Sequence, residues 1–411
     1  MDWTETNSYI RGIINKLDDL PDPTRVASFD LDDTLIHRPR DAKRLGSKWK
    51  LIDTSIIDKI EDLVKKKYII IIFTNQGGMG LNKNFDKPKW RRAVDDLCKI
   101  LTKKVNKYYF AVYVSKNYDL YRKPNIGLWQ QMKIDLCDEF ELNKIRISKK
   151  SFFVGDAAGR IKPSPFKKKI SPTSHSGDFS DVDRKFALNI GINFMTPEEF
   201  FMTNLASALR GSELLDEEPP QMEYKLSGIN SKKMIESAKK NKYIFEPRSK
   251  EMVVMVGLPG SGKTEFVKKY ILPHGYVHIS LDICKSKPQC LSQTKKALEK
   301  KKSVVIDNTN PDVLSRMTYT SLAQECGYKH IRCIIMNTDI EIAKHLNNVR
   351  HVYSNGMIPK ISNIVYNIFK KNYVKPQKSE HFDKIETVDF MFDKENLNDP
   401  VWKKIFMRWS E

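Results

Sequence analysis

The residues best suited to do chemistry sit in one short run, Asp30-Leu31-Asp32-Asp33-Thr34, directly after the apolar stretch Val26-Ala27-Ser28-Phe29. Such a stretch reads as a buried parallel strand, and side chains leaving its carboxyl end lie where open α/β sheets bind ligands. Two carboxylates two positions apart repel when buried together, so they need a cation or a retained proton. Both conditions suit magnesium-dependent phosphoryl transfer. Read alone, the run has the alternative of an acidic loop capping a helix. Three later features narrow the choice. Residues 69–73 read as a strand ending at Thr74-Asn75-Gln76-Gly77, which offers a hydroxyl and backbone donors to a phosphate. Arg122-Lys123-Pro124 supplies fixed positive charge, with Arg122 a candidate substrate contact. Phe152-Phe153-Val154 runs into Gly155-Asp156, a further carboxylate suited to a metal.

A second constellation is Gly257-Leu258-Pro259-Gly260-Ser261-Gly262-Lys263-Thr264, which follows the apolar run 252–256 and precedes a helical pattern. This is GxxxxGK[ST] in the context it requires. Gly257, Gly260, Ser261 and Gly262 let backbone N–H groups wrap the phosphates of ATP, Lys263 reaches the β- and γ-phosphates, and Thr264 offers its hydroxyl to magnesium. Downstream, His278-Ile279-Ser280-Leu281-Asp282 ends a short strand in a carboxylate that is either a kinase base or a helix N-cap. Residues 303–306 read as a strand ending in Asp307-Asn308-Thr309-Asn310, where Asp307 and Thr309 are candidate substrate contacts. Lys344, Arg350 and His351 fall on one helical stretch, which is either a basic solvated face or a lid closing cations over the transferred group.

The elements that must hold these residues alternate between apolar β-branched runs and amphipathic stretches. Residues 26–30, 69–73, 110–114 and 151–154 read as strands, and 54–66 and 90–104 as helices. The pattern restarts after the acidic, proline-containing and lysine-rich region 207–250, with strands at 252–256, 303–306 and 331–336. The organisation expected is two tandem parallel-sheet α/β domains: an N-terminal extension 1–24, a domain 25–206 carrying the carboxylate run, a linker 207–250 and a P-loop domain 251–411.

Length and charge fit that plan. The 411 residues are enough for two cores, and a hydrophobic fraction of 40% argues against wholesale disorder. No apolar run has the length of a membrane span. Lys and Arg number 71 against 51 acidic residues, and the resulting +20 points to a polyanion partner. The six cysteines form no CxxC pair, which suits reduced thiols, and the N-terminus lacks a secretory h-region. A nuclear location is expected, with cytoplasmic or mitochondrial residence as alternatives, and so is a monomer.

The order Asp30-x-Asp32, Thr74, Lys123, Asp156 resembles the four motifs of haloacid dehalogenase superfamily phosphatases. That resemblance implies that Asp30 is a nucleophile forming an aspartyl-phosphate and that Asp32 is general acid and then general base. It also implies that Thr74 and Lys123 hold phosphoryl oxygens, and that Asp156, Asp30 and the Asp32 carbonyl hold magnesium. Domain order and longer stretches are similar to the eukaryotic type of polynucleotide kinase 3′-phosphatase. Among these are Ser151-Phe152-Phe153-Val154-Gly155-Asp156-Ala157-Ala158-Gly159-Arg160, Asp183-Arg184-Lys185-Phe186-Ala187-Leu188-Asn189 and Val304-Val305-Ile306-Asp307-Asn308-Thr309-Asn310.

This second resemblance implies removal of 3′-phosphates from DNA ends, or from RNA ends, and ATP-dependent phosphorylation of 5′-hydroxyls, giving ends a ligase can seal. It covers about residues 25 to 370. Departures from the pattern are Leu281 where the family has Arg, Asn348 in place of one of two lid arginines with Arg350 retained, and a lysine-rich insert, 167–178. A forkhead-associated domain is expected to be absent, and recruitment through that module with it. Competing readings are a metabolite phosphatase fused to a small-molecule kinase, and a nucleic-acid-binding scaffold with decayed sites.

Overall fold

The computed structural model describes residues 1–37, 49–81, 85–162, 176–202, 223–229, 231–238 and 243–410. The chain divides into two compact units, 1–227 with 408–411, and 228–407.

Unit 1 is built on a seven-stranded sheet. In spatial order its strands are Asp2–Glu5, Tyr9–Asn15, Tyr109–Ser115, Tyr68–Asn75, Arg25–Phe29, Phe152–Val154 and Asn193–Met195. The last five are parallel, in the places where continuous Ile, Val and Phe runs require burial on both faces. One core layer gathers Phe29, Ile70, Ile72 and Phe152 with Leu63 and Trp90 from helices Ile56–Lys65 and Lys87–Leu101. The opposite layer gathers Ile71, Phe73 and Phe153 with Met132 and Leu136 of Gly127–Glu139 and Phe186 of Val182–Ile190.

Residues 1–24 are no extension. Tyr9–Asn15 pairs antiparallel with Tyr109–Ser115, and Asp2–Glu5 pairs antiparallel with Tyr9–Asn15. Trp3 lies over Gly12, where a Cβ would stand 2.8 Å from its ring, and meets Trp90 edge-on. A side chain at position 12 would push that indole off the sheet.

Unit 2 carries a five-stranded, wholly parallel sheet in the order Val277–Ile279, Val304–Ile306, Glu251–Val256, His330–Asn337 and Lys384–Asp389. The region read as a linker is partly structural. Ser231–Ala238 is helical, with Met234 in the cluster formed by Val349, Ile405 and Phe406, and Phe245 is buried against Val253 and Val267. The boundary therefore falls near residue 228 rather than at 250, and residues 207–222 lie outside the described ones. The last residues also leave the expected kinase domain, since Trp409 donates its N–H to Asn189 Oδ1 at 2.7 Å. Among the described residues no helix is long and apolar enough to cross a membrane.

Candidate functional site

In unit 1 the chain order reverses at Arg25–Phe29, which lies between Tyr68–Asn75 and Phe152–Val154. The carboxyl ends of these neighbours throw Asp30 and Asp156 into one crevice, the usual ligand position of such sheets. Carboxylate oxygens of Asp30, Asp156 and Asp183 lie within 4.8 Å of one another. Lys123 Nζ stands among them, 2.5 Å from Asp30 Oδ1 and 2.7 Å from Asp183 Oδ1, and donates to the Phe73 carbonyl at 2.8 Å. Asn75 fixes the Lys123 backbone, accepting its N–H at 3.0 Å and donating to its carbonyl at 3.1 Å.

Three carboxylates against one ammonium leave a surplus of two negative charges in a buried site. Burial is the largest cause raising Asp30, to about 7; Lys123 opposes it, while repulsion from Asp183 and Asp32 adds to it. Burial, then Asp183 and Asp30, lifts Asp156 well above the carboxylate range. Burial alone would lower Lys123, yet Asp183 and Asp30 outweigh it and hold the ammonium protonated. Hard oxygen donors with this excess charge fit one divalent cation.

The acid–base candidate is held apart from the cluster. Gln76 Nε2 donates to Asp32 Oδ2 at 2.6 Å and to Thr74 Oγ1 at 3.0 Å, tying the two sequence-predicted residues together through a third. Arg122 stacks on Tyr118, 4.1 Å from the ring centre. Thr34 Oγ1 accepts from the Asp156 N–H at 3.0 Å, so the threonine of the DxDDT run orients the metal-side carboxylate.

Sequence reasoning missed Asp183 as a member of this site. It opens helix Val182–Ile190, and its Oδ2 accepts from Ala157 N–H at 3.1 Å. A Cβ on Gly155 would stand 2.5 Å from Asp183 Oδ2, so the glycine before Asp156 is the space that lets Asp183 in. Most of the insert 167–178 lies outside the described residues, but Asp178 accepts from Arg160 Nε at 2.8 Å. Arg160 in turn donates to the Asp156 carbonyl at 2.7 Å.

In unit 2 the order reverses at Glu251–Val256, and the P-loop follows it. Gly260 and Gly262 have φ of +73° and +89°, the left-handed region that glycine enters without cost. At Gly260 a Cβ would also strike the Ala343 carbonyl at 2.7 Å. Lys263 is buried and donates to the carbonyls of Gly257 at 3.0 Å and Leu258 at 2.7 Å. Burial lowers its pKa to about 8, with Asp307 opposing. Thr264 Oγ1 donates to Asp307 Oδ2 at 2.8 Å, and His278 Nε2 meets the same oxygen at 3.0 Å. Asp307 Oδ1 is buried with no hydrogen-bond partner. A hydroxyl beside a carboxylate with one orphaned oxygen suits a second divalent cation, which moves Asp307 from the substrate to the metal side of the site.

A cavity of about 670 Å³ holds Lys263, Thr264, Asp282, Asp307, Thr309 and Arg350 in its walls. Asp282 is exposed, and the N-cap of Leu281–Cys284 is Ser280, whose hydroxyl accepts from Ile283 N–H at 3.3 Å. The capping explanation for Asp282 is therefore gone. Leu281 also faces the cavity, its N–H bound to Asn308 Oδ1 at 2.8 Å. Of the lid candidates Lys344, Arg350 and His351 on helix Ile340–Tyr353, only Arg350 lines the cavity. Lys344 pairs with Glu341 at 3.3 Å and His351 Nδ1 meets the Ile358 carbonyl at 2.8 Å. Asn348 is buried. On the other side of the P-loop a cavity of about 440 Å³ is walled by Ser261, Gly262, Tyr270, Phe390 and Trp402.

Residues 25–201 match the polynucleotide kinase 3 phosphatase family, and residues 252–357 match the AAA domain. A protein of Acanthamoeba polyphaga mimivirus, assigned as a bifunctional polynucleotide phosphatase/kinase, is 61% identical over 100% of this chain and 95% of its own length. The bifunctional polynucleotide phosphatase/kinase of Schizosaccharomyces pombe is 31% identical over 94% of this chain and 84% of its own. A polynucleotide 3′-phosphatase of Saccharomyces cerevisiae is 27% identical over 43% of this chain and 87% of its own.

Proposed function

The chain belongs to the bifunctional polynucleotide phosphatase/kinase family, and from that membership we propose that unit 1 removes 3′-phosphates from DNA ends while unit 2 transfers the ATP γ-phosphate to 5′-hydroxyls. The observation that carries the reading is that each unit holds a complete constellation at its own switch point: Asp30, Lys123 and Asp156 in one, Lys263, Thr264 and Asp307 in the other. A decayed scaffold would not keep buried charges in such costly arrangements.

In unit 1, an Asp30 oxygen attacks phosphorus as the bond to the 3′-oxygen breaks, and Asp32 gives that oxygen its proton. Water then attacks the aspartyl-phosphate, its proton passes to Asp32, and phosphate leaves with the Asp30 carboxylate restored. Thr74 and Lys123 bind phosphoryl oxygens. Asp30, Asp156 and the Asp32 carbonyl would hold magnesium, which would supply neutralising charge to the phosphoryl group. In unit 2, Asp282 takes the proton of the 5′-hydroxyl as its oxygen attacks the γ-phosphorus and ADP departs. Lys263 and Arg350 bind the transferring group, Thr264 and Asp307 hold magnesium, and Tyr270, Phe390 and Trp402 receive the nucleoside of ATP. Nuclear residence, a monomeric state and a role in strand-break repair belong to the same proposal.

The test is a nicked duplex bearing a 3′-phosphate and a 5′-hydroxyl, incubated with magnesium and ATP. Both ends should change, and ligase should then seal the nick. Hydrolysis of small phosphate esters with both DNA ends untouched would return the metabolite reading.

A further inference from the structure

Unit 1 is discontinuous in the chain: residues 1–227 supply its sheet, and residues 408–411 rejoin it after unit 2 has been traversed. Two side chains of one helix receive them. Lys185 and Asn189, four positions apart on Val182–Ile190, share a face of that helix. Lys185 is fully buried, and its ammonium has three protons to place. Its Nζ stands 2.9 Å from Asp181 Oδ1 and donates to Ser227 Oγ at 2.8 Å and to the Ser410 carbonyl at 3.0 Å. Asn189 Oδ1 accepts the Trp409 N–H at 2.7 Å, and its Nδ2 donates to the carbonyls of Trp409 at 2.8 Å and Pro124 at 2.9 Å. One amide thus ties the peptide of residue 409 to the peptide that follows Lys123. The same helix carries Asp183 in its first turn, and Lys123 and Asp183 are the two sides of a buried ion pair at 2.7 Å. The core side of the helix is fixed separately, since Phe186 packs on Phe73 and Phe153 with ring centres 5.4 Å and 5.2 Å apart.

We propose that Trp409 and Ser410 are positioning residues for the phosphatase: by holding Asn189 and Lys185 they seat the helix so that Asp183 meets Lys123 at the carboxylate cluster. The inference rests on the phosphatase reading of unit 1. All three contacts use peptide groups of residues 409 and 410, so they depend on the path of the chain rather than on the side chains it carries there. Without them the Lys185 ammonium keeps a buried proton without an acceptor, and Asn189 loses the peptide that fixes the plane of its amide. A shift of the helix relieves both, while Phe186 keeps it attached to the sheet. Such a shift moves Asp183 and the Lys123 loop together, and a misplacement of about 1 Å in reacting groups is enough to cost about 10²-fold in rate. Completion of the phosphatase site therefore requires residues that follow the kinase unit in the chain.

The test compares the full chain with a variant stopped after Met407 and with Asn189→Leu, which keeps residues 408–411 and removes the amide that receives them. Each is assayed with magnesium and ATP on a 3′-phosphorylated and on a 5′-hydroxyl oligonucleotide, well below its melting temperature. In both variants kcat for 3′-phosphate release should fall about tenfold or more with KM within about twofold, while 5′-phosphorylation is unchanged. Hydrogen exchange in the metal-free proteins should quicken at residues 182–190 and at Lys123, with the strand before the P-loop as protected as in the unmodified chain. Combining the two changes should cost little more than stopping the chain, since both act through one contact. Should the stopped chain fail to fold, Asn189→Leu alone decides. An unchanged kcat would reduce residues 409 and 410 to packing and overturn the inference. Equal loss of both activities, or unchanged exchange at 182–190, would overturn it too. No release of 3′-phosphate by the unmodified chain would overturn the phosphatase reading, and the inference with it.

Discussion

Lys123 Nζ lies 2.5 Å from Asp30 Oδ1, and both side chains are buried. An ammonium this close to the proposed nucleophile favours its charged form, opposing burial and two neighbouring carboxylates that together raise its pKa. It also stands where the phosphoryl group must arrive, so it can pass from the nucleophile to the phosphoryl oxygens as the charge moves.

Lys123→Met keeps the length of the side chain and removes that charge. Breaking a buried ion pair from one side costs about 3–5 kcal/mol, because the partner is left uncompensated. The metal-free variant should therefore unfold at lower denaturant than the unmodified protein, and magnesium should recover more stability in the variant. Phosphatase turnover should fall at least about 10²-fold, as for loss of a charge-stabilising donor. Denaturation curves with and without magnesium check the first statement and 3′-phosphate release the second. A variant of unchanged stability and rate would place the phosphate elsewhere.

Gln76→Leu tests the orientation of Asp32. The amide holds Asp32 Oδ2 at 2.6 Å and Thr74 Oγ1 at 3.0 Å. Without it the proposed acid–base group loses one of the contacts that orient it, and part of the ~10²- to 10⁴-fold contribution of general acid–base catalysis should be lost from kcat rather than from KM. Gln76→Glu, which repels Asp32, should be worse than Gln76→Leu. Steady-state kinetics on a 3′-phosphorylated oligonucleotide separate the two.

The strands that end at the sites were legible because buried parallel strands are continuous apolar runs, and the chemistry begins on the residue after each run ends. Asp30, Asp156 and Asp307 were found that way. Asp183 was not, because it reaches the cluster from the first turn of a helix, across Gly155, and no local pattern marks that approach. The hairpin at the N-terminus stayed hidden because Asp2–Glu5 is polar and its one large apolar side chain, Trp3, packs on a glycine. Helix Ser231–Ala238 was concealed by its polar composition, with Lys232 exposed and Met234 and Ala238 buried.

Separation of function follows from two sites in two units. Asp30→Asn removes the nucleophile and should abolish 3′-phosphate release while 5′-phosphorylation continues. Lys263→Ala should do the opposite. Each variant is assayed on the same nicked substrate, and loss of both activities in a folded variant would refute independent sites.

Stability of unit 2 should depend on pH through His345. Its Nε2 donates to the Phe406 carbonyl at 2.9 Å in a buried position, and burial lowers its pKa from 6.5 to about 4 despite that bond. The unfolded chain therefore takes up a proton below about 6.5 that the folded unit refuses until about 4. Stability is fully present above that window, falls as pH drops through it, and levels off below; the loss is about 3 kcal/mol for a shift of this size. His345→Gln, which can still donate to the carbonyl, should flatten the slope. Hydrogen exchange of unit 2 amides at pH 7 and pH 4.5 measures the difference, and equal slopes in both proteins would exclude His345 as its source.

The acceptor side of the kinase rests on two adjacent residues in one wall, Leu281 and Asp282. Capping belongs to Ser280, so Asp282 has no structural duty that would mask its chemistry. Asp282→Asn keeps shape and removes the proton acceptor. Phosphorylation should drop by about 10²- to 10⁴-fold with little change in the melting temperature. Leu281 is 42% exposed, with its backbone N–H held by Asn308, so its side chain can be exchanged without disturbing the turn. Leu281→Arg would bring a bidentate donor to the acceptor strand's phosphates and should lower the KM of the 5′-hydroxyl substrate several-fold, leaving phosphatase rates unchanged. The new guanidinium also stands beside Asp282 and makes its carboxylate a weaker base, so kcat should fall as KM falls. A gain in KM alone would mean that the arginine reaches the phosphates without touching Asp282. No change in either constant would mean that the acceptor strand enters past the opposite wall.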